Sequence, residues 1–260
     1  MPELPEVEIY ARYFAEHALG QKITSVDVLD ERILGARKEE FVRALKGRSF
    51  TTVRRHGKHL FAKAGKSWLH LHFGMSGDLA HYRDPDPPPR FARVVFNFAG
   101  GAHLAFEDMR LFGVVDLTPS PDEYIREHRL GPDPVDAKFT LRTFRKIAER
   151  RRGAIKALLM SQDVIAGVGN LYADETLFQS SIHPRRPVDR LSDAELRSVF
   201  RNLRRILREV IVRRGRNADH PRRYVIHHRE EGARCPRCGG EIRRTVVFGR
   251  TTYFCGKHQR

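Results

Sequence analysis

Apolar and polar residues follow two different periods in the two halves of this 260-residue chain. From residue 22 to about 117 they alternate every second residue, in "KITSVDVLD", "SFTTVRRHGKHLFAKA", "SWLHLHFGMSG" and "RVVFNFAGGAHLAFED". This alternation is typical of half-buried strands, and the Gly100-Gly101 pair predicts a hairpin turn. The proline-rich "DPDPPPR" at 84–90 predicts a loop. The first half is therefore expected to be an antiparallel β-sandwich.

The N-terminal segment predicts a helix ahead of these strands. In "PEVEIYARYFAEHAL", the residues Val7, Tyr10, Phe14 and Ala18 recur at spacings of three or four, which gives the helix one apolar face. Proline is well tolerated in a first helical turn, and glutamates there complement the positive end of the helix dipole. A capped surface helix is thus the simplest interpretation of this segment.

After "LGPDPVDA" at 130–137 the apolar period changes from two to about 3.6, so we place a domain boundary there. Four helices are predicted beyond it, in "LRTFRKIAERRR", "GAIKALLMS", "LYADETLFQSS" and "DAELRSVFRNLRRILREVIVRRG". For the last one, Asp193 is the expected N-cap and Gly215 the expected stop. Together the two halves predict an α+β protein of two domains.

The charge balance indicates a polyanionic partner. The chain holds 48 Lys and Arg against 32 Asp and Glu, a net charge of +16. Residues 201–260 carry 17 basic and 5 acidic side chains, so most of the excess lies there. Nucleic acid and an anionic membrane surface both fit such a balance. No stretch has the roughly 20 apolar residues of a membrane span, and we expect a cytoplasmic protein.

The C-terminal segment carries a metal-binding pattern. Cys235 and Cys238 have the C-x2-C spacing, and Cys255 and His258 repeat it as C-x2-H. Together they form one Cys3His set suited to tetrahedral zinc, and a closed set of four ligands favours a structural ion. Zinc binding would supply the folding free energy of a segment too short for its own core.

A short glycine motif precedes one of the predicted helices. Gly167 and Gly169 leave backbone N–H groups uncovered at a helix start, where a phosphate can bind. A tight turn between two helices would use the same residues, and the motif alone does not separate the two interpretations.

Five motifs resemble the formamidopyrimidine-DNA glycosylase and endonuclease VIII family, in order and over essentially the whole chain. They are "PELPEVE" at 2–8, "RRHGKHL" at 54–60, "HFGMSG" at 72–77, "GVGNLYADETLFQSSIHP" at 167–184 and "FGRTTYFC" at 248–255. The resemblance implies an N-terminal helix with a β-sandwich, a helix-two-turn-helix bundle and a β-hairpin zinc finger. We expect these at residues 1–132, 133–230 and 231–260. It also implies a bifunctional base excision repair enzyme, a DNA glycosylase with abasic-site lyase activity.

That resemblance gives the N-terminus a chemical role. Once Met1 is removed, Pro2 offers a secondary amine, and α-amino groups titrate near pH 8, so a useful fraction is unprotonated at neutral pH. Glu3 beside it is the expected proton-transfer group, and Lys58 matches the family's catalytic lysine, which contacts a phosphate next to the lesion. Glu6 either tunes these groups or is simply a solvated glutamate of the first turn.

The resemblance also assigns DNA contacts. Met75, Arg110 and Phe112 match the residues that fill the void left by a flipped nucleotide, although a Met and a Phe near strand ends are more often part of a core. Asn170 and Arg250 match the family's phosphate contacts. The implied partner is double-stranded DNA that contains oxidised bases or abasic sites. We expect a monomer that associates with the nucleoid when bound to DNA.

Two features depart from the family pattern. The fourth zinc ligand is His258, where cysteine is common. The segment between Gly215 and Cys235 is shorter and more basic than the one that closes over 8-oxoguanine in the guanine-directed branch. We therefore expect formamidopyrimidines, oxidised pyrimidines or abasic sites to be processed better than 8-oxoguanine.

Two other classes of protein fit parts of the sequence. A non-catalytic zinc-finger protein that binds damaged DNA would explain the cysteines and the charge, and a non-specific RNA-binding protein would explain the charge alone. Neither needs Pro2 followed by Glu3 at the N-terminus, which is the feature that favours the enzyme.

Overall fold

In the computed structural model, which describes residues 1–214 and 219–260, the chain divides into two units, Met1–Arg129 and Leu130–Arg260. Strands of the first unit are β1 (Ile23–Val28), β2 (Phe50–His56), β3 (His59–Ala64), β4 (Ser67–His72), β5 (Gly77–Arg83), β6 (Ala92–Phe98), β7 (Ala102–Asp108) and β8 (Val114–Thr118). They form two four-stranded antiparallel sheets, in the orders β1-β6-β7-β5 and β2-β3-β4-β8. The predicted sandwich is confirmed.

The core of this unit lies between the two sheets and under helix α1 (Leu4–Ala18). Three phenylalanines connect the layers: the ring of Phe14 on α1 lies 4.9 Å from Phe50 on β2, which lies 5.7 Å from Phe96 on β6. All three are fully buried. Because each such side chain contributes about 2 kcal/mol of burial, this stack fixes the helix on the sandwich.

The hairpin predicted at Gly100-Gly101 joins β6 to β7, and both glycines have positive φ, at 78° and 70°. The connection consists of residues 99–101, and glycine adopts a positive φ without strain. Residues 84–90 form the predicted loop between β5 and β6.

Two helices of this unit were not predicted, α2 (Lys38–Leu45) and α3 (Pro121–Glu127). Helix α2 has only two buried residues, four apart, which is too short an apolar pattern to recognise. Helix α3 begins with a Ser120 cap, whose hydroxyl accepts the N–H of Glu123 at 3.1 Å. Both helices are stabilised by packing and capping, and neither has an apolar pattern long enough to be recognised in the sequence.

The second unit contains the predicted helices, α4 (Leu141–Glu149), α5 (Ile155–Met160), α6 (Asn170–Ser180) and α7 (Asp193–Arg214), followed by the hairpin β9 (Ile242–Val247) and β10 (Arg250–Cys255). Helix α6 packs on α7 and on β10. The bundle and the hairpin confirm the fold class, while the boundary expected at residue 230 stays a prediction.

The N-cap prediction for α7 was wrong by one residue. Ser192 is the cap, because its hydroxyl accepts the N–H of Glu195 at 3.3 Å and its own N–H donates to the Glu195 carboxylate at 2.7 Å. This reciprocal pair is a capping box, and Asp193 is the first helical residue. The expected stop, Gly215, lies outside the described residues, as does the start of the segment that follows it.

Candidate functional site

The N-terminal residues are fixed by the start of helix α1. Glu3 is the N-cap and forms a capping box with Glu6, in which the Glu3 N–H donates to Glu6 Oε2 at 3.0 Å. The Glu3 side chain is only 2% exposed, whereas Pro2 beside it is half-buried. A carboxylate is thus held in a buried setting directly next to Pro2. Glu6 is half-buried, and its carboxylate caps the helix that carries Glu3.

Lys58 lies on the turn between β2 and β3 and is half-buried. Gly57 before it has a φ of 57°, a left-handed conformation that glycine adopts without a Cβ clash. Burial lowers the pKa of His72 at the end of β4, and the Lys58 ammonium lowers it further. The tight turn therefore presents Lys58 at the edge of the sandwich.

Met75, Arg110 and Phe112 lie on two loops and not in the core. Met75 is 43% exposed and Phe112 is 56% exposed, and the Arg110 guanidinium lies 5.1 Å from the Phe112 ring. Both apolar side chains are therefore accessible at the surface of their loops. The interpretation of these two residues as core is wrong.

A fully buried carboxylate that the sequence did not single out, Asp108, joins these loops. It accepts hydrogen bonds from the Ser76 hydroxyl, from the N–H of Arg110 at 3.1 Å and from the N–H of Gly113 at 2.7 Å. Gly74 lies so close to Phe112 that a Cβ on it would come within 2.3 Å of the Phe112 carbonyl carbon. The two loops are held together by these contacts.

In the second unit, Asn170 is the first residue of α6, directly after Gly169 as N-cap. Its Oδ1 accepts from the Lys156 ammonium at 2.7 Å, and its Nδ2 donates to the Thr251 carbonyl at 3.0 Å. Because an ammonium only donates, Lys156 fixes the orientation of the Asn170 amide. An amide nitrogen carries two N–H groups, so the one not used by Thr251 is available to an anion.

Lys156 is itself fully buried, which is unusual for lysine. Its Nζ lies 2.6 Å from Asp174 Oδ1 and donates to Thr252 Oγ1 at 2.6 Å. Asp174 also pairs with Arg229 and accepts the N–H of Tyr253 at 3.1 Å. Burial raises the pKa of the Asp174 carboxyl, and the two cations oppose that shift. This cluster, which we call the Lys156 network, ties α5, α6 and β10 together.

Arg250 is exposed at the first position of β10, and the turn Phe248-Gly249 precedes it. The Thr252 hydroxyl donates to its carbonyl at 3.0 Å, so the Lys156 network also reaches the backbone of Arg250. The arrangement presents a guanidinium and the Asn170 amide from two neighbouring elements of the same unit.

Cys235, Cys238, Cys255 and His258 come together as a cluster whose ligand atoms all lie within 4.8 Å of one another. Separations of 3.5 Å between Cys238 and Cys255 and of 3.5–3.6 Å from His258 Nδ1 to two of the sulfurs fit a tetrahedral ion, whose ligands lie about 3.5–3.8 Å apart. His258 Nε2 lies 3.3 Å from the Phe178 carbonyl, which can only accept. The proton is therefore on Nε2, and Nδ1 keeps its lone pair for a metal.

Comparison with known proteins identifies the family. Models of the formamidopyrimidine-DNA glycosylase N-terminal domain and of its H2TH domain match residues 1–115 and 130–220. A formamidopyrimidine-DNA glycosylase of Pelotomaculum thermopropionicum is 35% identical over 98% of both chains, and one of Streptococcus pneumoniae is 31% identical over 100% of this chain and 99% of that one. The chain belongs to the formamidopyrimidine-DNA glycosylase family. The predicted family is confirmed.

Solved structures of this family share the fold. The Lactococcus lactis enzyme in complex with Fapy-dG-containing DNA superposes with a TM-score of 0.90 at 28% identity, over 99% of this chain and 100% of that one. The same enzyme bound non-covalently to DNA with an abasic site gives a TM-score of 0.89 over 99% of both chains.

This member of the formamidopyrimidine-DNA glycosylase family also contains a row of histidines on β3 and β4. His70 is buried, and its Nε2 lies 2.9 Å from His59 Nδ1. Its ring packs 4.2 Å from Tyr124 on α3. Within residues 1–214 and 219–260 the Cys3His set is the metal-binding cluster found, and the described contacts of His70 are with His59 and with Tyr124.

Proposed function

We propose that the protein removes damaged bases from duplex DNA and then cuts the strand at the resulting abasic site, with Pro2 as the nucleophile. A base excision repair DNA glycosylase is what membership of the family implies. The observation that carries the catalytic assignment is the buried Glu3, held by the capping box directly beside Pro2.

The reaction needs an unprotonated secondary amine, which exists only after Met1 is removed. Its nitrogen attacks C1′ of the damaged nucleotide, the C1′–N bond to the base breaks, and the base leaves with a proton. The nitrogen loses its proton and the C1′–O4′ bond of the sugar ring then breaks, with a proton delivered to O4′, which leaves an iminium between the proline nitrogen and C1′. This iminium carries a positive charge without being protonated, so it draws electrons from the sugar. Loss of the C2′ proton then expels the 3′ phosphate, and loss of the C4′ proton expels the 5′ phosphate.

Glu3 is the group proposed to move these protons. A carboxylate within reach of the reacting sugar contributes about 10²- to 10⁴-fold to such steps. Its burial and its place in the capping box restrict it to one position, which proximity effects require. Lys58 is proposed to hold a phosphate next to the lesion.

The remaining contacts are proposed to bend the duplex and keep the damaged nucleotide out of the stack. Asn170 and Arg250 each offer N–H donors for phosphate oxygens. Met75, Arg110 and Phe112 would occupy the vacated space, which offsets the unstacking free energy of a few kcal/mol. The exposure of Met75 and Phe112 supports this role.

Zinc is the ion proposed for the Cys3His cluster. Cys235, Cys238, Cys255 and His258 would hold it, and because all four positions are filled by protein it would order the hairpin of Arg250 rather than take part in the reaction.

The decisive experiment is borohydride trapping with abasic-site DNA, because only an amine that forms an iminium becomes linked to the strand. We expect a covalent complex with the chain that begins at Pro2. A Pro2→Gly variant, and a chain shown by mass spectrometry to retain Met1, should give strongly reduced trapping and cleavage while still binding DNA. Normal trapping by the chain that retains Met1 would show that Pro2 is not the nucleophile. If the chain that begins at Pro2 binds abasic-site DNA but is not trapped on it, the protein would instead be a non-catalytic zinc-finger protein that binds damaged DNA.

The lesion preference is proposed from the short segment before Cys235, of which residues 215–218 lie outside the described part. Fewer backbone N–H groups there would weaken recognition of 8-oxoguanine, because selectivity through buried hydrogen bonds fails when donors are missing. Single-turnover rates on duplexes with formamidopyrimidine, an oxidised pyrimidine, an abasic site or 8-oxoguanine, each opposite cytosine, test this. A clearly fastest rate on 8-oxoguanine would contradict the proposal.

A further inference from the structure

Arg55 contacts two elements that the reaction has to bring together. It lies on β2, and its side chain is only 7% exposed. Its Nε donates to Glu8 Oε2 on helix α1 at 2.8 Å, and its Nη1 donates to the carbonyl of Gly57 at 3.1 Å. The guanidinium therefore joins helix α1 to the turn between β2 and β3.

Each end of this bridge lies close to a proposed catalytic group. Glu8 is five residues along α1 from Glu3, which is about 7.5 Å at the helical rise. Gly57 directly precedes Lys58 and has a left-handed backbone conformation. A glycine turn has many alternatives in the absence of a restraint, so a hydrogen bond to its carbonyl restricts where Lys58 can lie.

The Glu8 end of the bridge is fixed as well. Glu8 also accepts from Arg12 Nε at 3.2 Å, so both of its oxygens are engaged. Arginine suits the central position because its planar fork directs donors toward two acceptors at once, which a lysine ammonium on a flexible stem does less well.

We propose that Arg55 is a positioning residue, which sets the distance between the nucleophile at the start of α1 and the Lys58 phosphate contact. This inference rests on the proposed roles of Pro2 and Lys58. Its physical basis is that a mutation far from the reacting atoms can slow an enzyme about 10²-fold if it displaces a catalytic group by about 1 Å. A buried ion pair that only stabilises the fold is the alternative explanation of the same contacts.

The adjacent arginine provides a matched control. Arg54 lies on the same strand and pairs with Asp122 at 2.7 Å, with both side chains substantially exposed. It has the same charge and the same chain length as Arg55 but is engaged with α3 instead of α1. Exposed pairs of this kind contribute only about 0–1 kcal/mol.

The test is a double-mutant cycle on single-turnover cleavage of abasic-site DNA at saturating enzyme, so that weaker binding does not enter the rate. We expect Arg55→Ala to be about 10- to 100-fold slower and Arg54→Ala to be within about twofold of the wild type. If Arg55 acts through Lys58, the double variant Arg55→Ala with Lys58→Ala should be within about twofold of Lys58→Ala alone.

Arg55→Lys separates positioning from stability. A lysine can still pair with Glu8 but no longer bridges to Gly57, so we expect a melting temperature near that of the wild type together with slow cleavage. This variant also decides the question if Arg55→Ala fails to fold.

Three results would overturn the inference. They are wild-type cleavage rates for Arg55→Lys, fully multiplicative effects in the double variant, or equal losses for Arg54→Ala and Arg55→Ala. Unchanged cleavage by Lys58→Ala would instead show that the proposed role of Lys58 is wrong, and the inference would fall with it.

Discussion

The Lys156 network gives the sharpest prediction for stability. A Lys156→Met variant keeps most of the side-chain volume but removes a fully buried cation. Asn170 Oδ1 at 2.7 Å and Thr252 Oγ1 at 2.6 Å then lose a hydrogen-bond donor, and Asp174 Oδ1 loses an ion-pair partner at 2.6 Å. Asp174 would remain as a buried carboxylate, compensated among the described residues by Arg229 and the Tyr253 N–H.

The expected loss in the free energy of unfolding follows from these contacts. Removing one partner of a buried ion pair destabilises a protein by about 3–5 kcal/mol. Because Arg229 stays paired with Asp174, we expect Lys156→Met to lie near the lower end, at about 3 kcal/mol. Asp174→Asn should lower the free energy of unfolding further, since it leaves two cations next to each other without a counter-charge.

Urea denaturation followed by far-ultraviolet circular dichroism, at saturating zinc, measures both variants. With a urea dependence of about 2 kcal/mol/M, a loss of 3 kcal/mol lowers the midpoint by roughly 1.5 M. Lys146→Met on α4 is the control, because that lysine is exposed, and it should shift the midpoint little. A loss for Lys156→Met no larger than the control's, or a larger loss than for Asp174→Asn, would refute this account.

Three further predictions follow from the second unit. Freshly purified protein should contain one equivalent of zinc, and Cys238→Ser should lose zinc and bind DNA more weakly; metal analysis that finds no zinc would contradict the assignment. Arg250→Ala should reduce the slope of log K against log salt by about one, whereas Arg32→Ala, whose charge is paired with Asp30, should not. Burial raises the pKa of Glu175 from 4.5 to about 7, so the folded state binds its proton more tightly and stability falls as pH rises from about 4.5 to 7. Glu175→Gln should therefore be more stable than the wild type above pH 7, by at most roughly 3 kcal/mol in urea titrations, with the advantage absent below about pH 4.5; an advantage that is independent of pH would be evidence against it.

The elements in which apolar residues recur regularly over many residues could be predicted from the sequence. Helix α1 was expected at residues 5–19 and spans Leu4–Ala18. The turn at Gly100-Gly101 and the Cys3His cluster also came from local signals, a glycine pair and a ligand spacing. Such features depend on residues that are close in the chain, so a single sequence contains enough information to place them.

Asp108, Lys156 and Arg55 could not be found in this way. Lys156 is 96 residues from Thr252, and Arg55 is 47 residues from Glu8. A charged residue whose partners are so distant looks like any surface charge, because only the folded chain shows that it is buried. The Ser192 cap was missed for a smaller reason: Ser192 and Asp193 are both good capping residues, and only the hydrogen bonds to Glu195 distinguish them.

The way Asp108 links its two loops determines how the protein would test a base pair. One buried carboxylate binds Ser76 next to Met75 and the backbone on both sides of Phe112, so a single side chain connects the two loops. In the proposed function, a duplex therefore meets Met75 and Phe112 as a single wedge. Both side chains would then enter the duplex together, so a base pair would be tested in one step.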